Sequence, residues 1–219
     1  MFEQIKNDPY IINLYNEIEL LEQDGGLWHN HSFLHINSVI NTVETILLKL
    51  NYSEDIIERA KVAALLHDIG CIKGKEDHAK RSYDMAKEYF IKNNIETNDN
   101  DEILEAIKLH GTKEKVDNDL AKILIFADKL DIKKDRITEV GKTVDVVKES
   151  QYIEDIIVDI NDEKLIVNFI ANKKINKKVF DTYYFLPKVF SAIEHFADYI
   201  SLKPEILFNG EKWMITSSS

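Results

Sequence analysis

The sequence predicts a mainly all-α protein, a helical bundle followed by a small C-terminal β-hairpin and helix appendage. Two observations carry that expectation. Up to about residue 140, apolar residues recur at helical spacing in six segments joined by short polar or Gly-containing links; from Ile153 the texture turns to β-branched runs. With 219 residues and 44% hydrophobic content, the chain can bury one good core and needs no second domain to be stable.

The six helical segments run near residues 9–24, 32–50, 54–69, 77–93, 100–110 and 118–134. Ser53, followed by Glu54 and Asp55, caps the third. Gly70 ends that segment, and Gly111 sits just past the fifth. After them, "IEDIIVDI" and "KLIVNFIA", joined by "NDE", have the composition of a short antiparallel hairpin. The stretch "KKVFDTYYFLPKVFSAIEHFADYISL" is helical, with Pro187 marking a kink or a break, and its aromatic residues suit a core or dimer face better than a base-stacking surface. The closing "SSS" is expected to be disordered.

Charge and cysteine content narrow the chemistry. A formal charge of −11 repels nucleic acid backbones and anionic membranes, so any phosphate-bearing substrate needs local cations or metal. No run approaches a membrane span, and "MFEQIKNDPY" lacks the cationic and then apolar pattern of a signal peptide, which makes a cytoplasmic location the expectation. The single cysteine, Cys71, excludes an internal disulfide framework and a Cys-based zinc cage, and is expected to be a small buried residue. Metal binding, if any, falls to His and carboxylates.

Those residues lie on apolar helix faces. In "WHNHSFLHINSV", His35 shares a face with Val39, Val43 and Ile46; His31 lies one turn earlier on the same side, and His29 belongs to the preceding loop. The helix "AKVAALLHDIG" is so apolar that protein must nearly surround it, yet it ends in His67 and Asp68. A lone buried Asp costs several kcal/mol unless it is paired or metal-bound. His78 stands in line with Ser82, Met85, Ala86 and Tyr89, His110 follows Ile103 and Ile107, and Asp128 comes one turn after Leu124 in an otherwise apolar helix. Each residue alone is explained by a local hydrogen bond. Together they supply about enough ligands for two divalent transition metal ions, with imidazole favouring Fe, Mn, Zn, Co or Ni over Ca or Mg.

These residues, in this order, resemble the HD superfamily of metal-dependent phosphohydrolases. "HSFLHINSV" is similar to that family's opening block, "LLHDIG" to its central doublet, "EDHAKRSYDMA", "LHG" and "FADKLD" to its later ones, over roughly residues 29–136. The resemblance implies an HD-type helical metal-binding domain over residues 1–145, with residues 146–219 packing on it as hairpin and helices, not an independent domain. It implies that His35, His67, Asp68 and Asp128 hold one ion and Asp68, His78 and His110 the other, with Asp68 bridging. Asp68 and His31 are then the catalytic candidates, His31 standing behind a ligand or facing substrate. Lys73 and Lys129, nearest the ligands in sequence, lead a set that includes Lys75, Lys80, Arg81, Lys133 and Arg136 as holders of phosphate oxygens.

The implied activity is hydrolysis of a phosphate ester or anhydride, on a nucleotide or other small phosphorylated metabolite, by a metal-activated water. The expected partner is that substrate, and the segment after residue 140 is expected either to cap the cleft or to build a homodimer interface; the charge argues against a nucleic acid scaffold or a membrane. Ser32 and Ser38 replace the Asp and Arg frequent in the opening block. Cys71 stands where the cyclic-dinucleotide branch has Lys, and the Gly-Tyr-Pro signature of that branch is absent, which argues against cyclic di-GMP cleavage. The acidic pair that guanosine-tetraphosphate hydrolases place after the doublet is missing too. The same ligand set also suits a mixed-valence di-iron oxygenase, and a third reading is a regulatory module that binds a nucleotide without turning it over.

Overall fold

The computed structural model describes residues 1–95, 100–112 and 116–214. The expected disorder of the closing "SSS" concerns residues outside that range. The chain divides into two units, Met1–Asp24 with His31–Ala127, and Gly25–Asn30 with Asp128–Ser219. Among the described residues, no helix is long and apolar enough to cross a membrane.

The first unit is helical: α1 (Phe2–Lys6), α2 (Pro9–Asp24), α3 (Phe33–Lys49), α4 (Glu54–Leu66), α5 (His78–Lys92), α6 (Asn100–Leu109) and the greater part of α7 (Asp119–Leu130). Helix α3 buries the stripe His35, Ile36, Val39, Ile40, Val43, Ile46 and Leu47 at helical spacing. Packed against α1, α3 and α6, α4 buries every residue from Val62 to Leu66. Burying each of Val62, Leu65 and Leu66 contributes roughly 1.5–3 kcal/mol, which anchors the end of α4 and hence the doublet behind it. At the other end of α4, the Ser53 hydroxyl accepts from the Ile56 N–H at 3.5 Å. Ser53→Ala should cost about 1 kcal/mol of stability, read as a lower urea midpoint at unchanged slope.

The chain departs from continuous helix after Leu66. His67 and Asp68 form a turn, and residues Ile69–Lys73 continue as a 3-10 helix whose Gly70 lies under the start of α5. Gly70 is therefore not a left-handed helix cap. A Cβ there would meet the backbone His78 O at 2.4 Å and Ser82 N at 2.6 Å, so the residue is small because another helix crosses it. The Gly70 N–H donates to Ser82 Oγ at 2.9 Å, and Arg81 Nε donates to Gly70 O at 3.0 Å.

The second unit carries the sheet, in the order β1-β2-β3-β4: β1 (Ile153–Ile160), β2 (Lys164–Ala171), β3 (Lys203–Phe208) and β4 (Glu211–Lys212). β1 and β2 form the antiparallel hairpin the sequence predicts, and Leu165, Val167 and Phe169 alternate inward. β3, which the sequence pattern does not announce, pairs parallel to β2 after a crossover through α8 (Lys177–Phe180) and α9 (Leu186–Tyr199). Pro187 stands at the start of α9 and so marks the break between these two helices. Pro204 disguises β3. Lys203 donates to the Glu163 carbonyl just ahead of β2 and Asn209 to the Phe169 carbonyl within it, so the even-numbered Pro204 turns its donorless nitrogen to the edge, where β4 pairs only Leu207 and Phe208. Phe169, Phe180, Phe208 and Trp213 pack at ring separations of 5.0–6.3 Å, with Trp213 Nε1 donating to Asp181. The aromatic stretch thus supplies core residues in Phe180 and Tyr183, while Tyr184 is exposed. His29 belongs to this unit: it bridges to Ile137, and its Nε2 lies 2.8 Å from the Tyr183 hydroxyl.

Candidate metal centre

The helices of the first unit deliver their histidines to one carboxylate. Asp68, His67, His35, His110 and His31 are all buried, whereas His78, at the first position of α5, is partly exposed. Asp68 Oδ2 lies 3.1 Å from His67 Nε2 and 3.4 Å from His35 Nε2, and Oδ1 lies 3.4 Å from both His78 Nε2 and His110 Nε2. The two oxygens thus divide the imidazoles into two sets. His78 Nε2 and His110 Nε2 stand 3.0 Å apart.

The other ring nitrogens decide what these contacts mean. Nδ1 of His67, His78 and His110 lies 2.8, 2.8 and 2.6 Å from the carbonyls of Ala64, Lys75 and Ile107, each three residues earlier. A carbonyl only accepts, so Nδ1 carries the proton and, in the neutral ring, Nε2 presents a lone pair. Lone pairs therefore converge on an anionic carboxylate and, for His78 and His110, on each other. Two things can relieve that conflict. Protonating the Nε2 atoms would place imidazolium rings with centroids 4.9–5.4 Å apart in a buried site, which like-charge repulsion opposes. Divalent cations would satisfy these lone pairs without adding charge to the rings. Donors about 2.1 Å from one ion stand about 3.0–3.4 Å apart in octahedral or tetrahedral geometry, which is the spacing seen here. The donor set therefore fits a transition metal, with the Nδ1–H bonds fixing each ring.

Electrostatics agree. Burial pushes the Asp68 carboxyl up, but the charges of His67 and His31 and hydrogen bonds from His110 and His35 hold it well below the usual carboxylate range.

Asp128 follows Ala127, the last residue of the first unit, on the same unbroken helix α7, and is buried. Within the second unit its carboxylate pairs with Lys129 Nζ and with Arg136 Nη1, the latter at 3.5 Å. Lys129 is thus committed to a carboxylate instead of standing ready for phosphate, and Lys73 is exposed at the end of its 3-10 turn. Arg81, another basic residue of the expected phosphate-holding set, instead clamps the backbone carbonyls of Gly70 and Gly74. Cys71 is buried.

One acidic residue escaped the sequence reading. Glu22 is buried on α2 and bonds His31 through both carboxylate oxygens. The apolar stripe Ile11, Leu14, Tyr15, Ile18 runs by helical spacing onto it, but a charge ending such a stripe reads as the point where the helix turns to solvent.

Residues 33–133 match the family model of the HD domain. Similar solved structures include the crystal structure of a predicted HD superfamily hydrolase from an uncultured Thermotogales bacterium, 23% identical, with a TM-score of 0.45 and an alignment covering 64% of this chain and 84% of that one. No curated protein matches. Over that stretch the chain is similar to the HD domain, and its described residues are mainly α-helical. The matched stretch takes in His35, His67, Asp68, His78, His110 and Asp128, and leaves Glu22 and His31 outside it.

Proposed function

We propose that the protein is a metal-dependent phosphohydrolase that cleaves a phosphate ester or anhydride of a nucleotide or small phosphorylated metabolite by a metal-activated water. The observation that carries this reading is the division of four imidazoles between the two oxygens of Asp68. In this reading, which follows the family resemblance, His35, His67, Asp68 and Asp128 would hold one divalent transition ion, and Asp68, His78 and His110 a second. When bound, such ions supply Lewis acidity toward phosphate oxygens and bring the pKa of a water toward neutrality.

The chain's own residues do the rest. Asp68 bridges the two donor sets, and the carbonyls of Ala64, Lys75 and Ile107 keep three imidazoles turned toward it. Lys73, which is exposed, and Lys129, which pairs with Asp128, are the cations this reading assigns to phosphate oxygens. On a protein of charge −11, these positive centres give an anionic substrate its reason to dwell at this site.

The test is metal analysis together with a phosphate-release screen over nucleotides and sugar phosphates in Mn²⁺, Fe²⁺, Co²⁺ and Ni²⁺. Two ions per chain and turnover of a phosphorylated substrate are expected. Oxygen uptake by the iron-loaded protein with a mixed-valence EPR signal and no phosphate release would replace this reading with an oxygenase. Nucleotide binding without turnover would replace it with a regulatory module.

A further inference from the structure

Glu22 and His31 form a closed pair beside Asp68. The His31 backbone N–H donates to Glu22 Oε2 at 2.6 Å, and His31 Nδ1 is bonded to Glu22 Oε1. An ionised carboxylate only accepts, so Nδ1 carries the proton and the neutral ring leaves its lone pair on Nε2. That nitrogen faces Asp68 Oδ2 at 3.9 Å, the same oxygen that His35 and His67 face. The separation lies within the roughly 4.2 Å that two donors on opposite sides of one ion can span. Burying a carboxylate merely to hold a loop would be costly, and a group this enclosed earns its place by orienting a ligand.

We propose that Glu22 is a positioning residue that holds His31 as a further nitrogen donor to the ion of His35, His67 and Asp68. The inference rests on the metal reading above and extends the donor set beyond the HD-domain match. It also moves His31 from a catalytic role to a ligating one.

The experiment titrates the metal-free full chain with Co²⁺ alone, followed by visible absorption, with circular dichroism of each variant before metal is added. Glu22→Gln can accept through one oxygen only and should weaken Co²⁺ binding by roughly 10–100-fold. His31→Gln should weaken it at least as much, Glu22→Asp should recover part of the loss, and Glu22→Gln should add nothing in a His31→Gln background. That last result separates positioning from a general structural effect. If Glu22→Gln does not fold, the Glu22→Asp and His31→Gln pair reads the same coupling. Parent-like Co²⁺ binding by His31→Gln, with binding lost in Asp68→Ala, would overturn the inference and leave the metal reading standing. Parent-like binding by Asp68→Ala would overturn both. Cys71 Sγ lies within 4.8 Å of the donor atoms of Glu22 and His31, so a loss in Cys71→Ser equal to that in His31→Gln would place the ion on that trio and overturn the inference as well.

Discussion

Asp68→Ala is expected to strip both ions from the protein and to reduce phosphate release by at least about a thousandfold, equivalent to roughly 4 kcal/mol of lost transition-state stabilisation. Asp68 faces both imidazole sets, since Oδ2 meets His35 and His67 while Oδ1 meets His78 and His110. Losing His35 alone should spare the second set. Metal content after dialysis and phosphate release on the same preparation check the claim together, and a variant that kept two ions would refute the bridging role. A second readout needs no metal. In the metal-free protein the folded Asp68 carboxyl is held well below its usual range. A depressed folded pKa adds stability that is present above the unfolded value, about 3.9, and is lost as pH falls below it through the folded value. Acid titration of the metal-free parent, followed by circular dichroism, should therefore show a loss of stability below about pH 4 that Asp68→Ala lacks.

The helical unit was readable in the sequence because its segments carry their period without interruption. His35 was placed by Val39, Val43 and Ile46, and His67 with Asp68 by the unbroken apolar run before them. Periodicity located those side chains on faces, and the geometry shows the faces meeting at Asp68. What the period could not reveal is where an element stops when the next residues remain apolar. α4 passes into a turn at His67 although Ile69 is as buried as Leu66, because the chain there trades helix bonds for the crossing of α5. α7 likewise ends at Leu130, short of the expected residue 134, and the chain continues into short 3-10 turns. β3 was hidden by Pro204, a residue that ordinarily argues against a strand and is tolerated here on an unpaired edge. Glu22 shows a different limit. A charge at the end of an apolar stripe reads as the point where the helix leaves the core, and only the partner, His31 nine residues away, reveals that the charge stays inside.

Gly70→Val should be strongly damaging although Gly70 is not a ligand. A Cβ at this position would lie 2.4 Å from His78 O, 2.6 Å from Ser82 N and 2.9 Å from Arg81 Cβ, and the first two are backbone atoms in the opening turn of α5. No rotamer relieves a clash with backbone, so the helix must retreat, breaking the Gly70 bonds to Ser82 Oγ and Arg81 Nε. Overpacking of this kind costs about 1–3 kcal/mol for the single methyl of Gly70→Ala, and the branched side chain of valine should exceed about 3 kcal/mol. The retreat has a chemical consequence because α5 begins at His78, whose Nε2 stands 3.4 Å from Asp68 Oδ1. Gly70→Ala, if folded, should therefore lose the ion of the His78 and His110 set before that of the His35 and His67 set, a selective loss that general destabilisation would not produce. Denaturant midpoints give the stability cost, and metal stoichiometry gives the selectivity. Equal weakening of both ions at unchanged stability would show that the contact between Gly70 and α5 does not set the position of His78.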